Sequence, residues 1–185
     1  MTHAHSDAIL GLDNLRAWTL GDVIQEQVDV YLTQECYDTV SYMFPYLVDS
    51  SKATGGGGVG AIRWNIIEDN EPFHVKVEPF ETFEGKIETK VKIIPLPTWH
   101  GYSNGQPFQC LGFRVDQLSY VSDCHEIPKS TTDLMMGSQA VVIDALKCEF
   151  FFDTSLSKKL THCVFSLYMQ MTSIRLTSQY LKPSA

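Results

Sequence analysis

Two histidines one residue apart with a carboxylate two residues further on, His3-Ala4-His5-Ser6-Asp7, can converge on one cation if the backbone turns sharply there. Neutral imidazole suits zinc, manganese or iron, and a carboxylate can hold a neighbouring hard site. The spacing alone is equally that of a solvated N-terminal segment. Asp7 also suits the first turn of a helix, where unsatisfied amides favour an acid. Two distant residues shift the balance. His100 follows Ile93-Ile94-Pro95-Leu96-Pro97-Thr98-Trp99, and Asp123 follows Leu118-Ser119-Tyr120-Val121-Ser122, so each is expected just past the end of a strand. Loops beyond strand ends converge on one rim of an α/β scaffold. His3, His5, Asp7, His100 and Asp123 are therefore the candidate ligands.

Those residues need elements to position them. Ile9, Leu12, Leu15 and Trp18 recur every three positions, which predicts a short helix directly after the histidines. Val28 to Leu32 alternates and is rich in β-formers, predicting a strand. Gln34 to Phe44 reads as a helix capped by Thr33, with Cys36, Val40, Met43 and Phe44 on one face and Pro45 ending it. Ser50 to Gly60, with four consecutive glycines, predicts a surface loop separating two halves of one domain. No Gly-Lys-Ser/Thr follows, so it does not read as a phosphate cradle. Strands are expected at Ala61–Ile67, His74–Phe80, Lys86–Leu96, Gln109–Val115 and Leu118–Val121, with turns at Asn70-Glu71-Pro72, Glu84-Gly85 and Asp116-Gln117. A short helix over Ser130–Met136 and a buried strand over Ala140–Asp144 complete the pattern.

The bulk composition bounds the partners. The 185 residues suffice for one sizeable core. A hydrophobic fraction of 44% with 19% charged residues is ordinary for a globular chain. A formal net charge of −8 and the lack of a basic stripe argue against a grip on nucleic-acid phosphates. Lys86 to Lys92 alternates as the polar face of a strand. No apolar run reaches the roughly 20 residues that span a bilayer, and no basic-then-apolar leader is visible. The expected location is cytoplasmic, or nuclear. Cys36, Cys110, Cys124, Cys148 and Cys163 form no CxxC pair and are expected as reduced core thiols.

Taken in order, Thr2-His3-Ala4-His5-Ser6-Asp7 with Gly11-Leu12, then His100, then Tyr120-Val121-Ser122-Asp123, then Val142-Ile143-Asp144-Ala145-Leu146 resembles the metallo-β-lactamase fold superfamily. Within it the chain is most similar to the branch of hydrolases related to the phosphonate-pathway cyclic phosphodiesterase. The resemblance implies an α/β fold, a partial αβ/βα sandwich of mixed sheets with flanking helices. It implies up to two zinc or manganese ions: His3, His5 and His100 as ligands of the first, Asp7 on the second, and Asp123 bridging both. Asp7 and Asp123 would thus be the catalytic carboxylates. The implied chemistry is attack of a metal-bound hydroxide on a small-molecule phosphodiester or related ester. The chain departs from the family where Ala8 occupies the position of a usual histidine. It has no clear counterpart of the family's last histidine, unless Thr161-His162 is its remnant. The domain is expected over residues 1–147, lacking its first strands, with an atypical tail over 148–185. Truncation at both ends by an altered gene model would explain both.

Other candidates carry competing readings. Asp144 is expected to hydrogen-bond the rim loops behind the ligands. His125 reads as an exposed loop residue or as a proton shuttle or substrate contact. Trp99 and Tyr102 flank His100 and either line a substrate pocket or pack on the sheet edge. His74 reads as a surface strand residue, and Met135-Met136 as core. The alternative to an active hydrolase is a catalytically impaired fragment acting as a binding protein. A thiol enzyme using Cys110 or Cys124 lacks the basic surroundings that would activate the sulfur.

Overall fold

The structure, a computed structural model, describes residues 1–82, 85–144 and 162–166, with side chains described over 1–77 and 90–143. The three-residue apolar spacing after the histidines becomes a chain of helical turns. α1 (Ser6–Ile9) runs into a 3₁₀ turn (Leu10–Leu15) and then α2 (Arg16–Thr19). A period of three fits the 3₁₀ helix, which has three residues per turn. Ile9 and Leu12 are buried accordingly, while Trp18, at the end of the run, is half exposed.

β1 (Val28–Leu32) leads into α3 (Gln34–Met43), where the Thr33 hydroxyl accepts from the Cys36 amide at 3.4 Å as an N-cap. Cys36 and Val40 are buried, but Met43 is 45% exposed. Met43 therefore does not complete the expected apolar face, because it lies at the helix's last position. Pro45 ends α3 and begins another turn, α4 (Pro45–Val48), where its fixed φ and missing N–H are tolerated. The glycine loop follows, and β2 (Ile62–Ile66) then pairs in parallel with β1, Val28 opposite Ile62 through Leu32 opposite Ile66. That pairing spans the loop, so the loop lies inside one β-α-β unit and does not divide the domain into halves.

The second sheet has the order β3 (Phe73–Thr82), β4 (Gly85–Ser103), β5 (Gln106–Val115), β6 (Leu118–Val121), β7 (Ala140–Asp144) and β8 (His162–Ser166). The first four strands are antiparallel neighbours, and β6, β7 and β8 run parallel. α5 (Lys129–Met135) makes the crossover between β6 and β7. The Arg114 guanidinium donates to the Leu134 and Met136 carbonyls at 2.8 and 2.6 Å, satisfying the end of α5. Pro95 and Pro97 lie beyond Ile93, the last β4 residue paired with β3, so only β5 flanks them.

Each sheet has its own apolar cluster on the helix side. One gathers Ile9, Leu12, Val30, Leu32, Cys36, Val40 and Leu47 between β1–β2 and the helices α1 to α4. The other packs Met135 of α5 on Leu96, Val121, Val141 and Ile143. Aromatic rings meet between the sheets: Tyr31 stacks on Phe73 at 5.1 Å, and Phe73 meets Phe113 edge-on at 6.5 Å. The result is a mixed α/β arrangement with helices outside two sheets, a partial αβ/βα sandwich. The expected tail over 148–185 lies outside the described residues except for β8.

Close packing of β5 against β6 matters for the site, because Asp123 follows β6. A Cβ added at Gly112 would stand 2.6 Å from the Tyr120 carbonyl oxygen and 2.8 Å from Val121 Cγ2. Gly112→Ala is expected to push the strands apart and lower stability by about 1–3 kcal/mol in urea unfolding. A change within experimental error would mean that the neighbouring backbone yields freely.

Candidate metal centre

The chain's first two residues lie between the sheets. The Met1 amine donates to the Tyr31 carbonyl of β1 at 2.6 Å, and the Leu111 amide of β5 donates to the Thr2 carbonyl at 2.8 Å. His3 is thereby carried inward, where it is 96% buried by its 4% residual exposure. The turn that brings His5 back beside it is closed by the Ala8 and Ile9 amides, which donate to the His5 carbonyl at 3.0 and 3.1 Å. Asp7 follows in the first turn of α1 and stays exposed.

His100 reaches the same place by a different device, and the sequence expectation for it needs correction. It does not follow a strand end: β4 continues through it to Ser103. Trp99 pairs with Gln109 and Gly101 with Phe108, leaving His100 as the extra residue of a β-bulge. A bulge re-aims its side chain out of the regular alternation. Trp99 also exchanges backbone hydrogen bonds with Glu126, at 2.9 and 3.0 Å. That ties the bulge to the loop after β6 that carries Asp123.

The ligand atoms converge. One group consists of His3, His5 and His100, and a second of His3, Asp7 and Asp123, with the potential ligand atoms in each within 4.8 Å of one another. His5 Nδ1 and His100 Nε2 are 3.1 Å apart, and His3 Nε2 is 4.0 Å from Asp123 Oδ2. Ligands bound at about 2.0–2.2 Å to one ion stand roughly 3–4 Å from each other. His3 Nε2 is buried and has no hydrogen-bond partner among the described residues, a state that costs free energy unless something accepts its lone pair. Its other nitrogen is served from behind: Nδ1 lies 3.0 Å from Thr2 Oγ1 and 3.6 Å from Cys110 Sγ. A proton on Nδ1 leaves the Nε2 lone pair facing Asp123, the tautomer a metal ligand requires. The donor set and its orphaned nitrogen fit a divalent cation.

Burial holds the His3 imidazole below the ordinary histidine range. His5 adds to the lowering, Asp123 opposes it, and His100 and Asp7 make smaller contributions. His5 is flanked by Phe108, whose ring stacks on it at 4.8 Å and 7°. Three contributors were not singled out in the sequence for this role: Thr2, Phe108 and Cys110. Phe108 and Cys110 lie two apart on β5, so one strand face presents both, a signal that exists only once the β4–β5 register is known. Burial pushes the Cys110 thiol up, which counts against the thiol-enzyme reading.

The remaining candidates sit apart from the two ligand groups. His125 is exposed and its ring meets Tyr102 at 6.2 Å, while Trp99 meets Tyr102 at 6.3 Å. The Tyr102 hydroxyl donates to Glu126 Oε2 at 3.0 Å. His74 is exposed on β3 opposite Lys92. Met135 is fully buried in the core. Ala8 packs against the first apolar cluster. The Asp144 side chain and Thr161-His162 lie outside the described side chains.

This architecture has a counterpart among known proteins. The beta-lactamase superfamily domain matches residues 1–163, so the chain belongs to that family. No curated protein sequence matches it. Among solved structures it is similar to a crystal structure of a new diphosphatase from the PhnP family, with a TM-score of 0.60 and 21% identity over 89% of this chain. The aligned part makes up 57% of that structure's own length, so the chain spans a little over half of it. Among the described residues no helix is long and apolar enough to cross a membrane.

The lowered His3 value sets a pH dependence for the metal-free protein. The unfolded chain takes up a proton near pH 6.5 while folded His3 resists it, so stability is fully present above about pH 6.5 and falls as pH drops below that. Urea midpoints of chelator-treated protein are expected to fall between pH 7.5 and 5.5, and to fall less in His3→Gln. Equal slopes in the two proteins would assign the effect to other groups.

Proposed function

We propose that this chain is a metal-dependent hydrolase acting on a phosphodiester or related small-molecule ester. The observation that carries the reading is the buried Nε2 of His3, unpartnered among the described residues and within reach of two further imidazoles and two carboxylates. In this reading His3, His5 and His100 would hold the first zinc or manganese ion, Asp7 would serve the second, and Asp123 would be available to both. When bound, the cations supply positive charge that polarises the ester and lowers the pKa of a nearby water.

The chain's own residues do the positioning. Thr2 and Cys110 fix the His3 tautomer, Phe108 restricts the His5 ring, and the bulge sets the direction of His100. Asp7 and Asp123 accept hydrogen bonds from the attacking water and orient it. The water oxygen forms a bond to phosphorus, the ester P–O bond breaks, and the water's proton ends on the departing alcohol. The products are a phosphomonoester and an alcohol. Asp144 is proposed to support the rim from the end of β7, and Trp99 and His125 to meet the substrate's outer edge.

Ala8 favours a second reading. With an apolar core contact where the family has a histidine, the second cation would be left mainly to carboxylates, and the chain would bind one ion without turning over. Metal analysis and turnover of bis-p-nitrophenyl phosphate separate the two. The hydrolase is expected to hold close to two equivalents of zinc or manganese. His5→Ala should lose more activity than the about 10–100-fold typical when a residue behind the ligands is removed. One equivalent or less with no turnover in the unaltered chain supports the binding protein.

A further inference from the structure

A cleft of about 500 Å³ opens beside the imidazoles, with His3 and His5 in its wall. That volume is of the size that takes a small organic ligand. Its other walls follow from the parallel pairing of β1 and β2. Leu32 is opposite Ile66, so the residues that follow each strand leave the sheet at the same edge. Glu35 comes from the first and Glu68 and Asp69 from the second, and all three line the cleft. Phe108 of β5, stacked on His5, contributes an aromatic wall. Among the described residues the lining holds three carboxylates and no Lys or Arg. Gln109 Nε2 donates to Asp69 Oδ2 at 2.6 Å and holds that carboxylate in place. A pocket whose walls are acidic, and which has two of the candidate ligand imidazoles, His3 and His5, in one wall, is built for a ligand with two different ends.

We infer that the cleft receives the non-reacting arm of the ester, and that this arm carries a cationic amine. The inference rests on the hydrolase reading above and names its substrate class: an aminoalkyl phosphodiester. A diester has one negative charge at phosphorus, which belongs with the cations. A second phosphate or a carboxylate in the arm would face three like charges. An ammonium group would face opposite charges, each worth up to roughly five-fold in binding at solvent-exposed positions such as Glu35 and Glu68. The Phe108 ring adds the kind of surface on which alkylammonium groups settle.

The test compares three chromogenic diesters on the full chain loaded with zinc: p-nitrophenyl phosphorylcholine, bis-p-nitrophenyl phosphate, and a p-nitrophenyl diester with a carboxyalkyl arm. The expected order of kcat/KM is cationic over neutral by at least ten-fold, and neutral over anionic. Glu35→Gln combined with Glu68→Gln should reduce the cationic-to-neutral ratio at least three-fold, chiefly through KM, and raise the anionic ester relative to the neutral one. Turnover of all three at equal kcat/KM, or a ratio unmoved by the double variant, overturns the substrate class and leaves the hydrolase intact. No turnover of any ester by the zinc-loaded chain overturns both.

Discussion

The centre depends on a few backbone hydrogen bonds that join segments far apart in the chain. Residues 1 and 2 are held between β1 and β5 by the Met1–Tyr31 and Thr2–Leu111 contacts. The β4 bulge is held to the loop after β6 by Trp99 and Glu126. Remove either tie and an imidazole or carboxylate would lose its direction, since none of the ligand side chains lies on a long helix that could orient it alone. Rigid strands and their immediate ends supply the precision a multi-ligand site demands.

The same ties decide the electrostatics. They bring three imidazoles within 5.2 Å of one another by ring centroid. Burial disfavours the charged form of His3, and two carboxylates, Asp7 and Asp123, stand beside it. Thr2 and Cys110 behind His3 do for the ring what outer partners do in metal sites generally: they choose which nitrogen is free. Within the cluster His5 Nδ1 and His100 Nε2 are hydrogen-bonded at 3.1 Å, while His3 Nε2 has no such partner among the described residues.

The family match and the structural likeness bear on the scaffold. A two-stranded sheet and a six-stranded one each carry helices, and the candidate ligands cluster where residues 1–7 meet β4 and the loop after β6. The likeness at 21% identity is a likeness of fold. The chemistry proposed above therefore stands on this chain's own side chains, and the acidic cleft at the ends of β1 and β2 is argued from them as well.

Much of this was readable from residue order. Most strand and helix positions follow from local periodicity, although the extension of β4 to Ser103, the turn α4, the strand β8 and the 3₁₀ form of the helix after Ile9 are not read from it. Side-chain chemistry named the candidate ligands, and the loop position of Asp123 followed from where β6 stops. Tertiary structure alone decided how His100 is aimed, because a bulge is a mismatch between two strands and leaves no mark in either one. It also decided the partners of His3 Nδ1 and the convergence of Glu35, Glu68 and Asp69 on one cleft. Those depend on strand register and parallel pairing across gaps of 30 to 100 residues. Local alternation tells which residues share a face and is silent on which faces meet.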